Sequence, residues 1–114
     1  MNSPTTDIQA QVEALRAELA KASLELKRRM EAAVDADHRY RLEKAKAFLR
    51  AEGKTVDLRE AEVELLVNHL RRDAKLAAGL ENSALERLRS LRQEVSAVVS
   101  LAYVHRTEMD LARG

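Results

Sequence analysis

The chain has no cysteine and no tryptophan, one proline, three glycines, one phenylalanine and two tyrosines in 114 residues. Without cysteine there is no disulfide, no thiol nucleophile and no thiolate zinc site. With aromatics at 3% the large side chains that usually fill a globular core are missing. No apolar run reaches the ~18 to 20 residues of a membrane span. The start MNSPTTDIQ also lacks the basic and apolar regions of a secretion signal. Together these absences predict a soluble protein of the cytoplasm with no membrane partner.

What is present is Ala, Leu, Glu, Lys and Arg. Charged residues make up 34%, with Lys and Arg (20) nearly balancing Asp and Glu (19) for a net +1. This is the composition of long helices and coiled coils. A balance so close to neutral means that any affinity for nucleic acid must come from local patches.

Gly53-Lys54-Thr55 has the ending of a phosphate-binding loop. That loop needs a second glycine five positions earlier, so that backbone N–H groups can approach the phosphates, and a buried strand before it. Position 48 is Phe, and the preceding RLEKAKAFLRAEG reads as a charged helix. The three residues therefore read as a corner between two helices. Gly53 is expected to stop the first helix in a left-handed conformation, with Thr55 or Asp57 capping the next. Asp57 and Glu60 have capping-box spacing.

The first helix is expected over residues 6–52, after a flexible stretch at 1–5 and a cap at Thr5 or Thr6. Its apolar residues Ile8, Val12, Leu15, Leu19, Ala22 and Leu26 alternate four and three apart, the heptad seam of a coiled coil. Beyond Leu26 the pattern reads as a four-residue stutter through Met30 and Val34. DADHRYR (35–41) then looks too polar for a tight seam and could interrupt the helix. Leu42, Ala45, Phe48 and Leu49 would resume it.

The second helix, expected over 58–113 after a corner at 53–57, carries the clearest pattern. Val63, Val67, Leu70, Ala74, Ala77, Glu81, Ala84, Leu88, Leu91, Val95, Val98, Ala102, His105, Met109 and Ala112 keep the spacing throughout, with only Glu81 and His105 polar. Gly79 to Ser83 form a soft spot where a bend is expected. Some 55 residues at ~1.5 Å each give ~80 Å, too long for a compact monomer. The expected fold is all-α: a long two-helix coiled-coil hairpin assembling into a helical homo-oligomer. Leu65, Leu66, Leu76, Leu80, Leu85, Val99 and Leu101 widen the apolar surface beyond what one pair of helices needs. The seam residues Ala84, Leu88, Leu91, Val95, Val98, Ala102 and Met109 are the expected assembly interface.

No constellation for catalysis stands out, so no enzyme activity, metal or cofactor is expected. His38, His69 and His105 are scattered. His105 with Glu108 lacks the second Glu-x-x-His element that a bundle metal site requires. Asp35, Asp37 and His38 read first as a solvated polar interruption. The basic residues are more informative. Arg39, Arg41, Lys44, Lys46, Arg50 and Lys54 stand against only Glu43 and Glu52, with Tyr40 and Phe48 interleaved. Cations neutralise phosphates and aromatic faces stack on unpaired bases, so this is the composition of a single-strand site. The plainer alternative is a solvated helix face with Phe48 in the core.

The order of a basic, alanine-containing helix, a glycine corner, an acidic start and a long oligomerising helix resembles the UvsY-type recombination mediators of phages. RYRLEKAKAFLRAEG and the helix from REAEVELLVNHLRRDAK to HRTEMDLAR carry the likeness, over roughly residues 38 to 113. The resemblance implies a homo-oligomer that binds single-stranded DNA, remodels a single-strand-binding protein and helps load a recombinase, in the host cytoplasm if the chain is of phage origin. It places the DNA-contacting stretch on Arg41, Lys44 and Lys46, with Arg39 and Arg50 as neighbours. A coiled-coil scaffold or adaptor that binds another protein's helix, and no nucleic acid, is the alternative from a different class.

Overall fold

The computed structural model describes the backbone of residues 4–113 and the side chains of residues 6–113. Two helices account for nearly all of it: α1, Pro4–Arg50, and α2, Val56–Arg113, with no strand among the described residues. The chain is thus all-α and folds back on itself once. Helix α1 begins at Pro4, where the fixed φ of proline suits the first helical position, so neither Thr5 nor Thr6 is its cap. The cap itself, and most of the expected flexible start, lie outside the described residues. Each helix is longer at its start than the expected bounds of 6 and 58. Both run without interruption through the stretches at 35–41 and 79–83 that looked breakable. Every residue there except Gly79 is an adequate helix former, so polarity alone does not break the backbone ladder.

Glycine acts at the corner differently from the expected left-handed stop. No glycine among the described residues has positive φ. The requirement at Gly53 is room: a Cβ there would lie 2.8 Å from the Arg59 amide nitrogen and 3.0 Å from the Leu58 carbonyl carbon. The two helix ends pass that close because polar groups tie them. The Glu62 carboxylate accepts from the Glu52 N–H (3.1 Å) and the Gly53 N–H (3.3 Å), and Arg59 Nε donates to the Gly53 carbonyl (2.7 Å). Thr55, one of the two expected caps, accepts from the Leu58 N–H at 3.2 Å. Asp57 instead occupies the first turn of α2, where the helix dipole favours a carboxylate. Gly79 is the contrasting case, since nothing lies within 4 Å of a Cβ added there. Its backbone is ordinary helix, so Gly79→Ala should raise stability by about 0.5–1 kcal/mol in urea unfolding. A loss of stability would mean that the helix at 79 needs glycine for a reason other than space.

The chain divides into two compact units. One comprises Met1–Leu26 with Ala84–Gly114, the other Lys27–Ser83. In the first, Ala22, Leu88 and Leu91 are buried, with Leu15, Leu19 and Leu26 packed against them. A Glu18–Arg87 ion pair at 3.4 Å flanks that seam. The seam reads as the sequence spacing predicts, with Val95, Val98, Ala102 and His105 all half-buried.

The second unit is a helical hairpin whose α2 side also follows the expected seam, with Val63, Val67 and Leu70 buried. Its α1 side does not. The three-and-four spacing continues from Leu26 with no stutter, through Arg29, Ala33, Ala36, Tyr40, Glu43 and Ala47, all half-buried. Met30, Val34, Leu42, Ala45, Phe48 and Leu49, expected to carry or resume the seam, are exposed, Leu49 to 87%. The partner helix explains this. Lys44 meets Glu64 across the pair at 3.4 Å. Antiparallel pairing from that point brings Ala36 and Ala33 to within about two residues of Ala74 and Ala77, and Arg29 to within about two of Glu81. In that section alanines are half-buried on both helices while Met30 and Val34 face outward.

Candidate functional site

The six basic residues singled out around the corner sit on one stretch of α1 but do not form one surface. Positions 39 and 46 are one heptad apart and share a side of the helix, whereas 41 and 44 fall on the opposite flank of the seam. The structure separates them accordingly. Arg39, Lys46 and Arg50 line a groove of about 410 Å³ that is completed by Leu66 and His69 of α2 and contains one carboxylate, Glu43. Arg41 and Lys44 border a different, shallow depression with Ala45, Phe48 and Leu49. Lys54 stands on the corner, exposed and apart from both.

Electrostatics divide them further. Arg41 pairs with Asp37 at 2.9 Å, Lys44 with Glu64 at 3.4 Å and Lys46 with Glu43 at 3.5 Å. Glu64 also receives Arg71 at 3.5 Å. Arg39, Arg50 and Lys54 make no ion pair among the described residues. Exposed pairs of this kind are worth ~0–1 kcal/mol and exchange readily for another anion, so pairing weakens a phosphate site without abolishing it. The acidic start of α2 therefore meets the basic end of α1, which gives part of the basic stretch a role in holding the hairpin.

The aromatics behave unlike the composition suggested. Tyr40 is half-buried in the seam, and the Lys44 ammonium lies 5.6 Å from its ring centroid. Tyr40 first, then Glu64, raises the Lys44 pKa above the ordinary 10.5, so its head is a cation throughout the neutral range. Phe48, expected in the core, is 43% exposed. It lies outside the groove that holds Arg39, Lys46 and Arg50, where the His69 imidazole is the aromatic ring.

Leu66 and His69 are the groove residues that sequence reasoning did not assign to it. His69 was visible only as a scattered histidine, and its partners become apparent only when the register of α2 against α1 is known. The residues expected to form an assembly interface differ in exposure. Leu88 and Leu91 are buried against α1, Ala84, Val95, Val98 and Ala102 are half-buried, and Met109 is the most exposed of the set. His105 lines a cavity with Ile8, Ala102 and Met109. Among the described residues no group of three His, Cys, Asp or Glu is placed to hold a metal, and no helix is long and apolar enough to cross a membrane. No protein-family model, no curated protein and no solved structure matches the chain.

Proposed function

We propose that the chain is a non-enzymatic helical protein that binds single-stranded DNA through its phosphate backbone, as a recombination mediator or accessory protein would. The observation that carries this is the groove at Arg39, Lys46 and Arg50: three cations and His69 along one side of the hairpin, with Glu43 the only acid among them. From residue 39 to residue 50 the rise is ~16 Å of helix, the length of a few nucleotides of backbone. In this proposal the contacts expected at Arg41 and Lys44 move to Arg39, Lys46 and Arg50, because these three line one groove while Arg41 and Lys44 border a different depression. Loading of a recombinase and displacement of a single-strand-binding protein extend the same proposal and rest on the family resemblance alone.

The test is fluorescence anisotropy of a labelled single-stranded oligonucleotide at several salt concentrations, with an Arg39→Ala, Lys46→Ala, Arg50→Ala triple variant beside an Arg41→Ala control. Each phosphate contact contributes ~0.7 to the slope of log K against log salt for single strands, so the triple variant should lose about 2 units of slope and the control little. Equal losses in both would place the site elsewhere. Binding through phosphates should also discriminate poorly among base sequences. A second reading, a coiled-coil adaptor that binds a helix of another protein, is favoured by the outward-facing Leu65, Leu66, Leu76 and Leu80. It is the one that stands if no DNA binds even at ~50 mM salt.

A further inference from the structure

The opposite flank of α1 carries two shallow depressions. One is formed by Lys27, Met30, Glu31, Val34 and Asp35. The other contains Arg41, Lys44, Ala45, Phe48 and Leu49. Each has an apolar floor, Met30 and Val34 in the first, Phe48 and Leu49 in the second, and all four of these side chains are 43–87% exposed. Their charged rims differ in sign. At the first, Glu31 and Asp35 outnumber Lys27 and make no ion pair among the described residues, while Arg41 and Lys44 border the second with no acid beside them.

We infer that this flank of α1 is where a second copy of the chain docks, antiparallel, about a two-fold axis crossing the helix near His38. A half turn about that axis exchanges the two depressions. Glu31 and Asp35 of each copy then approach Arg41 and Lys44 of the other, and the Met30–Val34 floor covers the Phe48–Leu49 floor. An isologous contact requires one surface patch to be its own complement, and an acid-rimmed and a base-rimmed depression at matched distances from the axis satisfy that requirement. The depressions are centred about 14 residues apart, ~21 Å along the helix, so both engage at once without bending it. The Arg41–Asp37 and Lys44–Glu64 pairs within each chain are exposed and can share their cations with a neighbour.

The face lies across the seam from Arg39, Lys46 and Arg50, so docking and DNA binding are independent and can fail separately.

The test is a charge exchange read by light scattering after size exclusion over a wide range of protein concentrations. Wild type should appear at twice the monomer mass. Glu31→Lys/Asp35→Lys, which with Lys27, Arg41 and Lys44 puts five cations and no anion on the face, and Arg41→Glu/Lys44→Glu, which puts four anions there against Lys27 alone, should each associate at least ~10-fold more weakly. Mixed one to one, the two should recover the dimer, which no rearrangement inside a single chain can do. Circular dichroism checks that both remain helical. If Arg41→Glu/Lys44→Glu does not fold, Phe48→Glu replaces it, and there the loss of self-association is the readout. A wild type that stays monomeric at ~100 μM overturns the inference, leaving the face to a partner of another kind. Association that survives all the substitutions overturns it too, and moves the contact to another face such as Leu101 and Val104.

Discussion

Leu88→Ala should cost about 2–4 kcal/mol, measured as a fall in urea midpoint with the slope unchanged. Leu88 is 4% exposed and belongs to the one buried cluster of its unit, with Ala22 and Leu91 and with Leu15, Leu19 and Leu26 packed around it. Truncation removes most of the apolar surface that residue takes out of water and leaves a hole between two helices. Straight helices held by their own backbone ladders cannot easily collapse into that hole. The matched control is Leu65→Ala, at a site 84% exposed, where the loss should stay within ~0.5 kcal/mol. Only six apolar side chains are buried among the described residues: Ala22, Val63, Val67, Leu70, Leu88 and Leu91. With so thin a core, one leucine is a large fraction of what holds the pair together. If Leu65→Ala proved the more damaging of the two, the seam would have been assigned to the wrong face of α2.

Gly53→Ala is expected to destabilise by about 1–3 kcal/mol, the range for an inserted methyl that finds its space already filled. The new carbon would meet backbone atoms of Leu58 and Arg59 at 2.8–3.0 Å, and backbone cannot swing aside as a flexible side-chain end can. Opening the corner to admit it would lengthen the bonds from the Glu52 and Gly53 amides to Glu62 and from Arg59 to the Gly53 carbonyl. Because φ at Gly53 is not positive, the penalty is steric and not conformational. Comparison with Gly79→Ala in the same unfolding experiment separates the two effects, since the same change should be unfavourable at one glycine and favourable at the other. A neutral Gly53→Ala would mean that the corner is held more loosely than its geometry implies.

The seam of α2 was legible in the sequence because nearly every heptad carries an aliphatic residue at both inward positions, and Glu81 and His105 did not obscure so long a run. The first third of α1 was legible for the same reason. From Arg29 to Ala47 it was not, since the eye follows the larger apolar residues, and in that section they face outward. Extending the spacing strictly from Leu26 would have found Ala33, Ala36, Tyr40 and Ala47. The reason to prefer alanine over Met30 and Val34 lies in α2, whose own inward residues there are Ala74 and Ala77. Long-range facts of this kind are not written in local periodicity.

The basic stretch was partly legible. Charge and order were plain, but its division into two flanks followed only once α1 was known to be one unbroken helix. The corner showed the opposite failure, where the right residue was identified for the wrong physical reason. Gly53 punctuates the chain as expected, yet it does so by being small.

The unbroken heptad of α1 also limits how a chain of this design can vary over evolutionary time. Losing one residue from the middle of either helix would turn everything beyond it by ~100° and carry the seam off its partner. Losing seven from one helix alone would keep the face but slide each inward residue past its opposite number. Length can therefore change gradually only at the free ends. In the interior it can change only by matched insertions or deletions of whole heptads in both helices, a paired event that single mutations do not supply.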